Sequence, residues 1–198
     1  MAQGEVLRFE SDRAESEALL HWWRDLHGHA EQAEEGSGEE GEPTARAKAP
    51  NYRGERAELR RCNELIAVVL TPAYQRLFYA LAAIDVPKPR NHEERLATVA
   101  AVLAGVKPDS AKPGSPFAQL LADSARLSEL RFRRLLRIRE HGELYPALVR
   151  LVRLLEGSAD PLTLARGIYG WNDAMRKRWA YDYYGAVFRQ GGSVTPTD

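Results

Sequence analysis

Residues 124–140 read S-A-R-L-S-E-L-R-F-R-R-L-L-R-I-R-E, with six arginines against one acid (Glu129) before the closing Glu140. Wound at about 3.6 residues per turn, the stretch puts Phe132, Leu135 and Leu136 on one face at the i, i+3, i+4 spacing of a core-facing stripe. Arg126, Arg133 and Arg137 fall roughly opposite, with Arg134 beside them, while Arg131 and Arg139 lie nearer the apolar face and suit packing or internal pairing. This is more positive charge than helix solubility requires. A row of planar guanidinium forks suits bidentate donation to phosphates. The same row also fits a solvated face whose arginines pair with acids elsewhere in the fold.

The pattern recurs upstream. A helix following Asn51-Tyr52-Arg53-Gly54 and running to Leu70 has Leu59, Cys62, Ile66, Val69 and Leu70 as its buried stripe. Arg53, Arg56 and Arg60 repeat along one flank, with Arg61 on another side. That helix cannot pass Thr71-Pro72, because proline lacks the amide donor and clashes with the preceding turn. Thr71 instead caps a new helix that Pro72 opens, and Ser115-Pro116 and Asp160-Pro161 repeat the device.

The other elements follow by the same periodicity. A first helix spans about Asp12 to His29, capped by Ser11 or Asp12, with Leu19, Trp22, Trp23 and Leu26 as its apolar face. The two tryptophans cannot point the same way; both suit the core, and one could anchor a partner subunit. A third helix runs from Pro72 to about Ile84, burying some of Tyr74, Leu77, Phe78 and Leu81. The proline-stiffened loop Val86–Asn91 then holds Lys88 and Arg90 apart. A fourth helix, about His92 to Ala104, turns Leu96, Val99, Ala100 and Leu103 inward. A short helix from Pro116, the arginine helix and a helix from about Glu143 to Glu156 come next, the last with Leu148, Leu151, Val152 and Leu155 on one face. No strict alternation lasts a strand's length, so the class is all-α: a two-lobed bundle of roughly eight to nine helices. The Pro-, Lys- and Gly-rich stretch Gly105–Gly114 divides it into lobes at 1–105 and 106–198.

Net charge is zero, but residues 1–42 hold twelve acids and three arginines, a sum of −9, which leaves +9 for residues 43–198. Such asymmetry points to a basic working surface with an acidic leader. Segment 30–50, almost without large apolar residues, cannot offset its ordering entropy and reads as a flexible acidic loop. The single cysteine, Cys62, excludes an internal disulfide and suits a core thiol. His21, His27 and His29 lack the carboxylate or thiol pattern of a metal site, so no metal or other cofactor is expected. No Gly-rich phosphate loop, paired metal ligands or nucleophile elbow is present, which argues against an enzyme. No early apolar run resembles a signal peptide and no stretch nears a membrane span, so a cytoplasmic protein without membrane partners is expected.

The tail, Leu164 to Tyr184, reads L-A-R-G-I-Y-G-W-N-D-A-M-R-K-R-W-A-Y-D-Y-Y. Asn172 or Asp173 caps a final helix with Met175, Trp179, Tyr183 and Val187 along one side. Arg176, Lys177 and Arg178 in its first turns oppose the helix dipole, so they are not placed for helix stability. Interleaved with Tyr181, Tyr183 and Tyr184 they have the composition of a single-strand binding surface, although core or subunit interface suits most of the rings better.

Here the chain resembles the CasB family, the small subunit of the type I-E CRISPR surveillance complex, Cascade. The resemblance is carried by Ala165-Arg166, Trp171-Asn172-Asp173, Arg176-Lys177-Arg178-Trp179-Ala180 and Tyr183-Tyr184, together with Phe132–Leu136 and the segment Tyr52–Arg61. It spans the chain apart from the acidic loop 30–50. It implies an all-helical, two-lobed, non-catalytic protein present as a pair of copies along the crRNA-bearing backbone. There it would bridge the large subunit to the backbone subunits and help hold target DNA, displaced strand included, open as an R-loop. Target cutting would belong to a separately recruited nuclease-helicase. On this view Arg53, Arg56, Arg60, Arg61, Lys88, Arg90, Arg126, Arg133, Arg134, Arg137, Arg176, Lys177 and Arg178 are the candidate nucleic-acid contacts. The alternative is a helical scaffold whose arginines pair with acids on partner proteins and touch no phosphate.

Overall fold

The computed structural model describes residues 9–10, 13–28 and 51–191; the acidic segment 30–50 and the expected caps Ser11 and Asp12 lie outside the described residues. Among the described residues there are ten helices and no strand. They are α1 (Ala14–Leu26), α2 (Tyr52–Leu59), α3 (Leu65–Val69), α4 (Pro72–Ala82), α5 (His92–Leu103), α6 (Phe117–Asp123), α7 (Glu129–Leu135), α8 (His141–Leu154), α9 (Pro161–Tyr169) and α10 (Asp173–Gly191). The all-α class that the periodicities require is what the chain adopts.

The centre is α5. Every residue from Leu96 to Ala104 is buried, not only the stripe of Leu96, Val99, Ala100 and Leu103. A helix apolar on all sides belongs inside a core, and α5 is enclosed by α3, α4, α8 and α9. One continuous core runs through it and across the Gly105–Gly114 stretch. That stretch is stitched to the α8–α9 turn, Lys107 N donating to Gly157 O at 2.9 Å and Ser110 Oγ to the same carbonyl at 3.1 Å. Trp22 and Trp23 are both core, each satisfying its indole N–H on a distant carbonyl: Trp22 on Ala73 at 2.7 Å, Trp23 on Leu103 at 3.1 Å.

Two stretches that periodicity makes continuous are divided. Segment 51–70 breaks between α2 and α3 because the Tyr145 hydroxyl donates to the Cys62 carbonyl, which in an unbroken helix would accept from the Ile66 amide. The turn rotates α3, so Val68 is buried while Ile66 and Leu70 are 63% and 75% exposed rather than part of a buried stripe. Cys62 is half-buried in the break, not a core thiol, and its partial burial raises its pKa. Segment 124–140 likewise yields only the seven residues of α7. Ala125 takes φ +52°, Arg126 N turns back to Ser124 Oγ at 3.2 Å, and Tyr183 Oη donates to Leu127 O at 3.1 Å. Arg126 therefore precedes the helix and Arg137 follows it.

Of the three proline-marked starts, Thr71 and Asp160 cap as expected, accepting from Tyr74 N at 3.2 Å and Thr163 N at 2.9 Å. Ser115 does not cap: Pro116 flanks a helix that opens at Phe117, and the Ser115 carbonyl accepts from Thr163 Oγ1. Asn172 caps α10, its Oδ1 accepting from Met175 N at 3.0 Å. The far end of the expected α10 stripe is open to solvent, Val187 being 40% exposed while Ala186 is buried.

The core holds a titratable group. His141, 2% exposed, lies 3.2 Å from Thr98 Oγ1 through Nδ1, and the Thr98 hydroxyl is committed to the Glu94 carbonyl. Nδ1 is thus the protonated nitrogen, and Nε2 is buried without a partner. Burial, and then the charge of Arg95, lower its pKa to about 4. Because the unfolded imidazole titrates near 6.5, this contribution is complete above that pH and is lost as pH falls from about 6.5 to about 4. We expect a loss of about 3 kcal/mol across that window, read by urea unfolding at pH 7 and pH 4.5. His141→Gln should remove this contribution and leave that of the buried His92, whose pKa burial also lowers.

Candidate nucleic-acid interface

Helix α2 is fixed at both ends. Asn51 Oδ1 accepts from Gly54 N at 3.0 Å, and Leu59 is fully buried. Arg56, half-buried, donates through Nε to Ala104 O at 3.0 Å, so it is anchored on the end of α5. Burial and the neighbouring Arg60 lower its pKa. Arg60 is left exposed at the rim of a cleft of about 290 Å³ shared with Lys107, Arg153 and Glu156, above Val102, Tyr145 and Val149.

Glu156 takes φ +57°, an uncommon conformation for a residue with a side chain. Gly157 follows at φ +86°, where a Cβ would come within 2.9 Å of Gly105 O, so only glycine closes this turn. The turn presents the Glu156 carboxylate to Arg126, Oε1 to Nη1 at 2.7 Å, while the same guanidinium nitrogen donates to Leu154 O at 2.9 Å. The Arg126 hydrogen bond and charge, with a smaller contribution from Lys107, hold the Glu156 pKa below the ordinary carboxylate value. Arg60 thus shares a cleft with the carboxylate that Arg126, 66 residues further along the sequence, holds from outside it.

A larger hollow of about 470 Å³ opens between α1, the 107–116 segment, α9 and α10. Arg24, Lys107, Arg166 and Arg178 line it, as do Asp109, Asp160 and Asp182. Lys107 lines both hollows and joins Arg178 to the Arg60 cluster.

The remaining candidates divide by environment. Where α7 packs beside the middle of α10, Arg133 donates to Glu129 at 2.5 Å and to Tyr184 Oη at 3.0 Å. The Tyr184 hydrogen bond and the Glu129 charge raise its pKa. Arg176 pairs with Asp173 and donates to Leu136 O at 3.2 Å, and Arg139 reaches Asp173 at 3.8 Å. Arg61 donates to Ala57 O and Lys88 to Ile84 O. The side chains of Arg53, Arg90, Arg134, Arg137, Lys177 and Arg178 are exposed with no hydrogen bond or ion pair among the described residues. Of the candidates only Arg60 and Arg178 line a hollow; Arg53, Arg56, Arg61, Lys88, Arg90, Arg126, Arg133, Arg134, Arg137, Arg176 and Lys177 line neither.

Lys107 and Arg153 are the cations of the smaller cleft that sequence reading missed, as it missed Arg24 and Arg166 of the larger hollow: Lys107 sits in an apparent linker, Arg153 on the solvated side of an amphipathic helix. The weak signal was Arg150 and Arg153 repeating at i, i+3 opposite the apolar face of α8. Among the described residues no cluster of His, Cys, Asp and Glu could hold a metal, and no helix is long and apolar enough to cross a membrane.

No curated protein matches the chain. Among solved structures, a chain in the crystal structure of E. coli Cascade bound to a PAM-containing dsDNA target superposes with a TM-score of 0.54 at 23% identity. The match covers 69% of this chain and 89% of that one, a likeness of fold. The sequence profile of CRISPR-associated protein Cse2 matches residues 55–184, which span α2 to most of α10. The chain therefore belongs to the family of CRISPR-associated protein Cse2, the CasB family that its arginine rows and tail resemble.

Proposed function

We propose that this chain is the non-catalytic small subunit of a crRNA-guided Cascade complex, binding nucleic-acid backbone without reading sequence and helping to hold the R-loop open. Its partners on this reading are the large subunit, the backbone subunits, a second copy of itself and target DNA. Family membership supports the assembly. The observation that carries the nucleic-acid part is the cleft where Arg60, Lys107 and Arg153 converge beside the Arg126–Glu156 pair. Three cations in one cleft, whose only lining carboxylate is already bound by Arg126, leave a local excess of positive charge suited to a polyanion.

Contacts of this kind are sequence-independent and release counterions. The full chain should bind single-stranded oligonucleotides of unrelated sequence with equal affinity, weakening steeply as salt rises, read by fluorescence anisotropy. A strong base preference, or binding indifferent to salt, would overturn the reading.

The scaffold alternative draws on a specific feature: Arg133 and Arg176 already hold Glu129 and Asp173, while Ile66 and Leu70 stand exposed. On that reading the free chain ignores oligonucleotides, and cleft variants fail at assembly before DNA is added.

A further inference from the structure

The outer face of α10 carries two rings that the core does not use. Tyr183 is buried and stacked on Phe132, and Tyr184 is occupied by Arg133 and Glu129. Tyr181 and Phe188, by contrast, are 79% and 75% exposed. They stand at i and i+7 with Gly185 at i+4, on the side opposite the buried Trp179, Tyr183 and Ala186. A Cβ at Gly185 would meet nothing nearer than Arg189 Nη1 at 3.7 Å, so the space between the rings is open. Lys177 and Arg178 lie one turn before Tyr181 and Arg189 follows Phe188, against Asp182 on the same stretch of helix and Asp123, which accepts from Gln190 at its far end.

We propose that this face is a base-stacking platform for single-stranded nucleic acid, Tyr181 and Phe188 bracketing bases over Gly185 while Lys177, Arg178 and Arg189 take the phosphates. The spacing fits. Seven residues rise about 10.5 Å along a helix, and stacked bases advance about 3.4 Å per nucleotide. Ring, base, base, ring therefore spans about 10 Å, which leaves room for two bases. The flanking charge selects a polyanion over an apolar protein surface, and stacking on aromatic faces is tolerant of sequence. The platform rests on the nucleic-acid reading above and adds to it a contact with bases rather than with backbone.

The test compares a fluorescein-labelled oligothymidylate with an abasic phosphodiester of equal length and charge, titrated into the full chain and into Tyr181→Ala/Phe188→Ala. The wild type should prefer the thymidylate. The double variant should lose about ten-fold or more on it while binding the abasic polymer unchanged, and Tyr181→Phe should keep wild-type affinity. Equal wild-type affinity for the two polymers, or an unchanged double variant, overturns the platform alone. Failure of the wild type to bind either polymer overturns the backbone reading and the platform with it. A double variant that keeps thymidylate affinity but no longer assembles with partner subunits or a second copy marks a protein-docking face, and the proposal falls.

Discussion

Replacing Arg60, Lys107 and Arg153 together by glutamine is expected to flatten the salt dependence of single-strand binding by about two units of log–log slope, at about 0.7 for each phosphate that a removed cation would have neutralised. Affinity at low salt should fall with it, and all sequences should weaken alike. The three side chains are exposed and make no hydrogen bond or ion pair among the described residues, so their removal leaves the core intact. Glu156→Gln supplies the opposite sign. Its carboxylate neutralises Arg126 at the edge of the same cleft, so the amide should tighten binding and steepen the slope. Arg133 and Arg176 make poorer targets, because their guanidinium groups hold α7 against α10 through Tyr184 and Leu136. Anisotropy titrations between about 50 and 200 mM salt, the range over which such binding changes most visibly, read both variants. An unchanged slope in the triple variant removes the cleft from the interface.

The second large effect is structural. Phe132→Ala is expected to cost about 3–5 kcal/mol of unfolding free energy. Its ring is fully buried and lies 3.8 Å from the Tyr183 ring, centroid to centroid, at 11°. A seven-residue helix has too few internal hydrogen bonds to persist alone, so α7 depends on this docking. Leu135 is buried beside it, whereas Leu130 is 60% exposed and contributes little. Urea unfolding measures the global loss. Hydrogen exchange should show the amides of 129–135 opening ahead of those in α5, since weakly packed elements open first. Phe132→Leu keeps most of the apolar volume and isolates the ring stacking, worth about 0.5–1.5 kcal/mol. A loss below about 1 kcal/mol for the alanine variant would show that α7 is held by something other than this ring.

Much of the fold was legible because helix signals are local. Thr71-Pro72, Asp160-Pro161 and Asn172 mark helix starts through contacts made within a single turn, and the structure keeps all three. The stripes of α4, α5 and α8 are buried as their spacing requires. Where periodicity misled, the deciding partner lay far along the chain. Tyr145, 83 residues beyond Cys62, takes the carbonyl that would have continued α2, and Tyr183 takes the Leu127 carbonyl where the arginine helix was expected to run on. The full enclosure of α5 was hidden for a related reason: alanines 97, 100, 101 and 104 are small enough to admit neighbours on every side, but their spacing names no face.

The candidate site divides in the same way. Sequence alone determined that this is an all-helical chain with its positive charge concentrated in arginine after residue 42, because composition and i, i+3, i+4 spacing are properties of short windows. Which arginines remain available, and which are spent on Glu129, Asp173 or a backbone carbonyl, was decided only by tertiary structure. The gathering of Arg60, Lys107 and Arg153 in one cleft, whose carboxylate Glu156 is held by Arg126, was decided there too. Charge pairing depends on distance through space, and four residues from four separate segments become neighbours only once the core around α5 has closed.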